Sequence, residues 1–96
     1  MAQINLPGDG LPPVTFKNFV TELASSALVC LGYLDHPVLK TKQLDLPRAG
    51  HVIGLLGMLE EKTRGNLNPE ETDYLLTVLS DLQQKQQSLK SQPPRN

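Results

Sequence analysis

Apolar residues recur at helical spacing in three stretches of the chain, and the stretches differ in how much of each helix they cover. In the first, Phe16, Phe19, Val20, Leu23, Ala24, Ala27, Leu28, Leu31 and Leu34 follow the three- and four-residue steps of a helix face. On a wheel they span about half the circumference, wider than the roughly 100° stripe a surface helix needs. Asn18, Thr21, Glu22 and Ser25 fill the other side, Thr15 is placed to cap the start, and Gly32 to end it. In the second stretch Leu46, Ala49, Val52, Ile53, Leu55, Leu56 and Leu59 form the arc, with Gly50, Gly54 and Gly57 beside it. The third, from Pro69 to about Ser88, has a narrower stripe of Tyr74, Leu75, Val78, Leu79 and Leu82, with Leu89 just past that end. Its distal half turns polar at Gln83, Gln84, Gln86 and Gln87.

The residues between these stretches are helix stops and starts. Gly65 can take the left-handed conformation that closes a helix, and Lys62 and Arg64 favour its negative end. Asn68 then reads as an N-cap and Pro69 as the first helical residue, with Glu70 and Glu71 in the positive first turn. Glu71, three residues after Asn68, completes a capping-box pattern. Gly65, Asn68, Pro69 and Glu71 therefore specify an antiparallel helical hairpin. Asp45 is the expected N-cap of the second helix, with Pro47 tolerated in its first turn.

The segment from Tyr33 to Leu44 reads as a loop. Asp35-His36-Pro37 has turn chemistry, and Val38-Leu39 and Gln43-Leu44 alternate too briefly to predict a strand. Residues 1–13, with Pro7, Gly8, Gly10, Pro12 and Pro13, read as a flexible arm, and residues 91–96 as a disordered tail. The expected fold is all-α: a three-helix, bundle-like domain over residues 14–90.

Composition sharpens this picture at one point. The chain has 96 residues, 39% of them hydrophobic but only 4% aromatic and none Trp, so the core rests on Leu, Val, Ile and Ala. A domain this small buries a limited share of its surface. Three helix-interior glycines cost about 1 kcal/mol each relative to Ala. Close approach of another helix backbone offsets such a cost, and Ala24, Ser25, Ser26 and Ala27 are small enough to permit it. The first two helices also offer more apolar surface than the third can cover. Self-association as a homodimer or higher oligomer is therefore expected, with Gly50, Gly54, Gly57, Leu55 and Met58 at the interface.

Candidate chemistry is sparse. The single Cys30 excludes an internal disulfide and suits a reducing compartment; it reads as a structural thiol at the edge of an apolar face. Cys30, His36 and His51 match no metal-ligand spacing. No paired carboxylates converge, no nucleophile triad or phosphate loop is spelled out, and His51 falls on a polar side. The formal net charge of −1, with scattered basic residues, gives no footprint for nucleic acid. Leu23 to Leu34 is too short for a membrane span, and the first ten residues lack a signal-peptide pattern. The favoured expectation is a cytoplasmic, non-enzymatic interaction or regulatory module without cofactor, binding itself and an unknown protein partner. The alternative is a small-ligand-binding protein or minor enzyme subunit with a pocket near Cys30, Tyr33, His36 and His51.

Two blocks of residues carry a family resemblance. The first is Phe16-x-x-Phe19-Val20 with Leu23-Ala24-Ser25-Ser26-Ala27-Leu28 and Leu31-Gly32. The second, more specific, is Asp45-Leu46-Pro47, Ala49, Ile53, Leu55-Leu56, Met58-Leu59-Glu60-Glu61-Lys62-Thr63, Gly65-Asn66-Leu67 and Pro69-Glu70-Glu71. Together they resemble the bacterial family catalogued as domain of unknown function 1844, over about residues 16 to 75. The resemblance implies a cytoplasmic, helical protein and assigns no activity, so it carries no catalytic residues to this chain.

Overall fold

The computed structural model describes residues 11–91, so most of the expected arm and tail lies outside the described residues. Three helices and one β-hairpin follow in the order α1 (Phe16–Cys30), β1 (Leu31–Asp35), β2 (Lys42–Leu44), α2 (Leu46–Lys62) and α3 (Pro69–Lys90). The fold is mostly helical rather than purely so. What reads as a loop from Tyr33 to Leu44 contains most of a two-stranded antiparallel sheet.

Each helix begins on a side-chain cap that relieves an otherwise unpaired backbone N–H. Thr15 Oγ1 accepts from the Asn18 amide at 3.0 Å, and Asp45 Oδ1 from the Arg48 amide at 3.1 Å. At α3, Asn68 Oδ1 accepts from the Glu71 amide at 2.8 Å while the Glu71 carboxylate accepts from the Asn68 amide at 3.0 Å, a reciprocal capping box.

The first helix stops at Cys30, earlier than its apolar spacing suggests. Leu31 donates its N–H back to Ala27, and Gly32, at φ +83°, swings the chain into β1. Leu31 and Leu34 therefore belong to a strand, and their helical register with Phe16 to Leu28 is a coincidence of spacing. Leu31 faces Leu44 and Asp35 faces Lys42 across the ladder, so β1 carries extra residues between these pairs. Such a bulge bends a strand and breaks simple alternation. The Asp45 amide donates to the Cys30 carbonyl at 2.8 Å, tying the start of α2 to the end of α1.

Ten side chains form the buried core: Val20, Ala27 and Cys30 of α1, Leu31 of β1, Ala49, Val52, Ile53 and Leu56 of α2, and Leu75 and Leu82 of α3. None of the described buried side chains is polar or charged. Each helix packs on the other two. The α1–α3 contact is reinforced where the Tyr74 hydroxyl meets Thr21 Oγ1, itself donating to the Lys17 carbonyl, and where Lys17 Nζ sits 5.4 Å from the Tyr74 ring centre. The core is small, and large apolar side chains stay at the surface, from Phe19 on α1 to Leu34, Val38, Leu39 and Leu44 around the hairpin.

Candidate functional site

Two surfaces stand out: the outer face of α2, and a concavity where α1, the hairpin and the start of α2 meet.

On α2, Val52, Ile53 and Leu56 point inward, so the opposite face presents Pro47, Gly50, His51, Gly54, Gly57, Met58 and Glu61 at steps of three and four. The sequence allows close approach to the glycines by the small positions of α1 or by a helix of another copy. The structure places α1 elsewhere. A Cβ built on Gly54 or Gly57 would meet nothing within 4 Å, and one on Gly50 would meet only the flexible end of Gln86, 3.2 Å away on α3. The small positions Ser25 and Ser26 are exposed and line the concavity instead. Met58 is 44% exposed beside Gly54, and Leu55 lies partly buried at the flank of the glycine face.

The concavity holds about 440 Å³. Ser25, Ser26, Val29 and Cys30 of α1 form one wall, His36 and Pro37 of the hairpin turn another, and Gln43, Asp45 and Arg48 the third. The turn is built by His36 itself. Its Nδ1 accepts from the amides of Val38 and Leu39 at 3.1 and 3.2 Å, its backbone N–H donates to Thr41 O at 2.9 Å, and its carbonyl accepts from Lys40 N at 2.9 Å. Lys40 closes the turn at φ +61°, a left-handed conformation uncommon outside glycine, asparagine and aspartate. Because Nδ1 accepts, the proton of the neutral ring sits on Nε2, which is left as a donor.

Of the four residues expected around a pocket, the structure brings Cys30 and His36 together and leaves Tyr33 and His51 out. Tyr33 sits against α3, its ring centre 5.4 Å from Lys85 Nζ. His51 lines an adjoining, more open depression with Pro47 on the far side of Asp45 and Arg48. Arg48 and the Ser25-Ser26 pair are wall residues that sequence reasoning does not single out for a pocket. The two serines fall at the polar edge of α1 and Arg48 in the first turn of α2, and nothing in their spacing marks them as neighbours. Burial, and then the nearby Asp45 carboxylate, push the Cys30 thiol above its ordinary range, with Arg48 opposing. The thiol is therefore protonated near neutrality and a poor nucleophile.

At the α2–α3 turn, Gly65 is left-handed at φ +88°, but it stands two residues beyond the helix cap. The cap is Thr63, whose N–H and hydroxyl both donate to Leu59 O, at 2.9 and 2.6 Å. Gly65 is the third residue of the following turn, in which the Asn66 amide donates to Thr63 O at 2.8 Å. Positive φ at that position alone is the signature of a type II turn. Arg64 clamps Glu60 through two bonds of 3.0 and 2.6 Å and holds its carboxyl below the usual range. The recess beside this turn, about 70 Å³, admits little more than water.

Among the described residues, no three His, Cys, Asp or Glu side chains are grouped to hold a metal ion, and no helix is long and apolar enough to cross a membrane. One family pattern, described as Domain of unknown function (DUF1844), matches residues 13–87 and so spans both sequence blocks. The chain belongs to this family. Comparison with curated proteins and with solved structures returned no match. The match runs from just before α1 to near the end of α3. It supplies no activity for the concavity or for the α2 face.

Proposed function

We propose that the chain is a non-enzymatic interaction module of the cytoplasm that self-associates through the outer face of α2, leaving other surfaces for a protein partner. The observation that carries this reading is the open space over Gly54 and Gly57. Two interior glycines cost a helix about 2 kcal/mol together relative to Ala, and no neighbour within the described residues uses the space they create. A second helix backbone does.

The geometry of the face favours a second copy. Gly54 is the midpoint of α2, eight residues from each end. Two copies related by a two-fold axis at Gly54 run antiparallel and present identical faces to each other. Met58 of one copy then falls over the hole bounded by Pro47, Gly50, His51 and Gly54 of the other, a knob set between residues at i, i+3, i+4 and i+7. The self-complementarity pairs the one large exposed apolar side chain of the face with its glycines. The free thiol of Cys30 suits a reducing interior.

Gly54→Ala and Gly54→Leu decide the matter, because the two readings predict opposite signs. For a helix face exposed to water, Gly54→Ala raises stability by about 0.5–1 kcal/mol. For a backbone contact, added side chains push the copies apart. The wild type is expected to sediment as a dimer at micromolar concentration, and Gly54→Leu as a monomer that keeps its helical circular dichroism. A wild-type monomer, or a Gly54→Leu dimer of unchanged affinity, removes this face from the proposal.

A further inference from the structure

The concavity between α1, the hairpin turn and the start of α2 carries a second inference, independent of self-association. We infer that it is a binding site for a small amphiphilic monocarboxylate, an apolar body with a single anionic head, the head held by Arg48 and the His36 Nε2 proton.

Size and lining come first. About 440 Å³ lies within the range of small-molecule sites, roughly 300–1,000 Å³, which are apolar with a few placed polar groups. Val29, Pro37 and the buried side of Cys30 supply the apolar surface.

The polar groups of the wall leave several donors unused. Asp45 is already engaged: Oδ1 caps α2 and Oδ2 faces Arg48 Nε at 3.7 Å. The Gln43 amide nitrogen donates to Thr41 Oγ1 at 2.8 Å. Unused donors remain on the His36 Nε2, the rest of the Arg48 guanidinium, and the hydroxyls of Ser25 and Ser26, which have no hydrogen-bond partner among the described residues. A ligand that satisfies this wall brings acceptor oxygens, and a guanidinium fork matches a carboxylate in two parallel bonds.

Charge narrows the class further. The Asp45 carboxylate disfavours a dianion such as a phosphate monoester, and Arg48 disfavours an ammonium head. The Cys30 thiol, kept neutral by its burial, adds no negative charge to the wall.

The test is titration of the full chain with octanoate, followed by backbone amide NMR, with octylammonium and 1-octanol as controls of matched body. Octanoate is expected to give saturable shifts confined to residues 25–30, 36–37 and 45–48, and to bind more tightly than either control. Arg48→Gln is expected to lower octanoate affinity about tenfold, the equivalent of 1.4 kcal/mol, while leaving 1-octanol binding unchanged. Ser26→Leu, on an exposed helical position, is expected to block all three by filling the concavity. The monomeric Gly54→Leu variant is expected to bind octanoate like wild type, which separates this site from the α2 face. Shifts that do not saturate or do not localise, equal binding of octylammonium, or an Arg48→Gln variant of unaltered preference overturns the proposal.

Discussion

The two connections between helices solve the same problem by opposite means. Between α2 and α3 the chain turns in the six residues Thr63 to Asn68, and every bond that fixes the turn joins residues three or four apart: Thr63 to Leu59, Asn66 to Thr63, Glu71 to Asn68. Between α1 and α2 it travels from Leu31 to Asp45, and its structure depends on segments that meet across the hairpin, Asp45 to Cys30 and His36 to Thr41. The short connection leaves a largely polar surface. The long one leaves Val38 77% and Leu44 61% exposed, and it encloses the concavity. Local bonds make a stiff spacer here, and non-local bonds make a surface with shape.

The glycines of the two connections test this contrast most strongly. Gly65 and Gly32 have nearly the same backbone conformation, φ +88° and +83°. A Cβ on Gly65 meets nothing within 4 Å, so Gly65→Val measures backbone strain alone. The left-handed conformation costs an L-residue roughly 1–2 kcal/mol, and a β-branched residue sits at the upper end. Urea unfolding of Gly65→Val is expected to show a loss of about 2 kcal/mol, and Gly65→Ala about 1 kcal/mol. A Cβ on Gly32 lies at ordinary contact distance, 3.9 Å, from both Gln43 O and Leu44 Cδ1. It is therefore the further γ-methyls of Gly32→Val that crowd the hairpin on top of the same strain, and the variant is expected to lose at least as much. If Gly65→Val melts like wild type, positive φ does not hold the short connection. If Gly32→Val is the milder variant, the hairpin yields where the turn does not.

This contrast also explains what could be read from the sequence. Caps are one-residue signals whose partners lie within four residues, and Thr15, Asp45 and Asn68 each stand where the sequence puts them. The hairpin has no such signal. Its strands are five and three residues long, a bulge breaks the alternation, and the turn relies on a histidine ring and a left-handed lysine in place of glycine or asparagine. Leu31 and Leu34 even continue the helical period of α1. The glycine face of α2 can be read from its spacing, but periodicity does not say that α1 leaves Gly54 and Gly57 open. The concavity was legible only at Cys30 and His36; Arg48 and the two serines join it through tertiary placement.

Asn68→Ala probes the short connection at a smaller scale. It removes the acceptor for the Glu71 amide and leaves the Glu71 side chain holding the Asn68 amide alone. Loss of an N-cap costs about 1 kcal/mol, and Asn68→Asp, which keeps the acceptor, is expected to be nearly neutral. Both are measured by chemical unfolding. Equal losses in the two variants would place the stabilisation outside the side-chain cap.

The smallest expected effect lies in the long connection, at His36. His36→Ala removes the acceptor of the Val38 and Leu39 amides in an exposed turn. Net hydrogen-bond contributions at exposed sites fall at the low end of about 0.5–1.5 kcal/mol each. Opening the turn also leaves the ten-residue core intact, so the global midpoint is expected to move little. The loss should appear locally, as faster solvent exchange of the Val38 and Leu39 amides by NMR. His36→Asn offers a side-chain oxygen for the same two donors, as asparagine does in turns, and is expected to restore most of the protection. Unchanged exchange in His36→Ala would mean that the backbone bond from His36 to Thr41, with Lys40, holds the turn without the ring. A fall in the global midpoint equal to that of Asn68→Ala would mean that the hairpin unfolds with the core, and the division between a stiff local connection and a separable non-local one would fail.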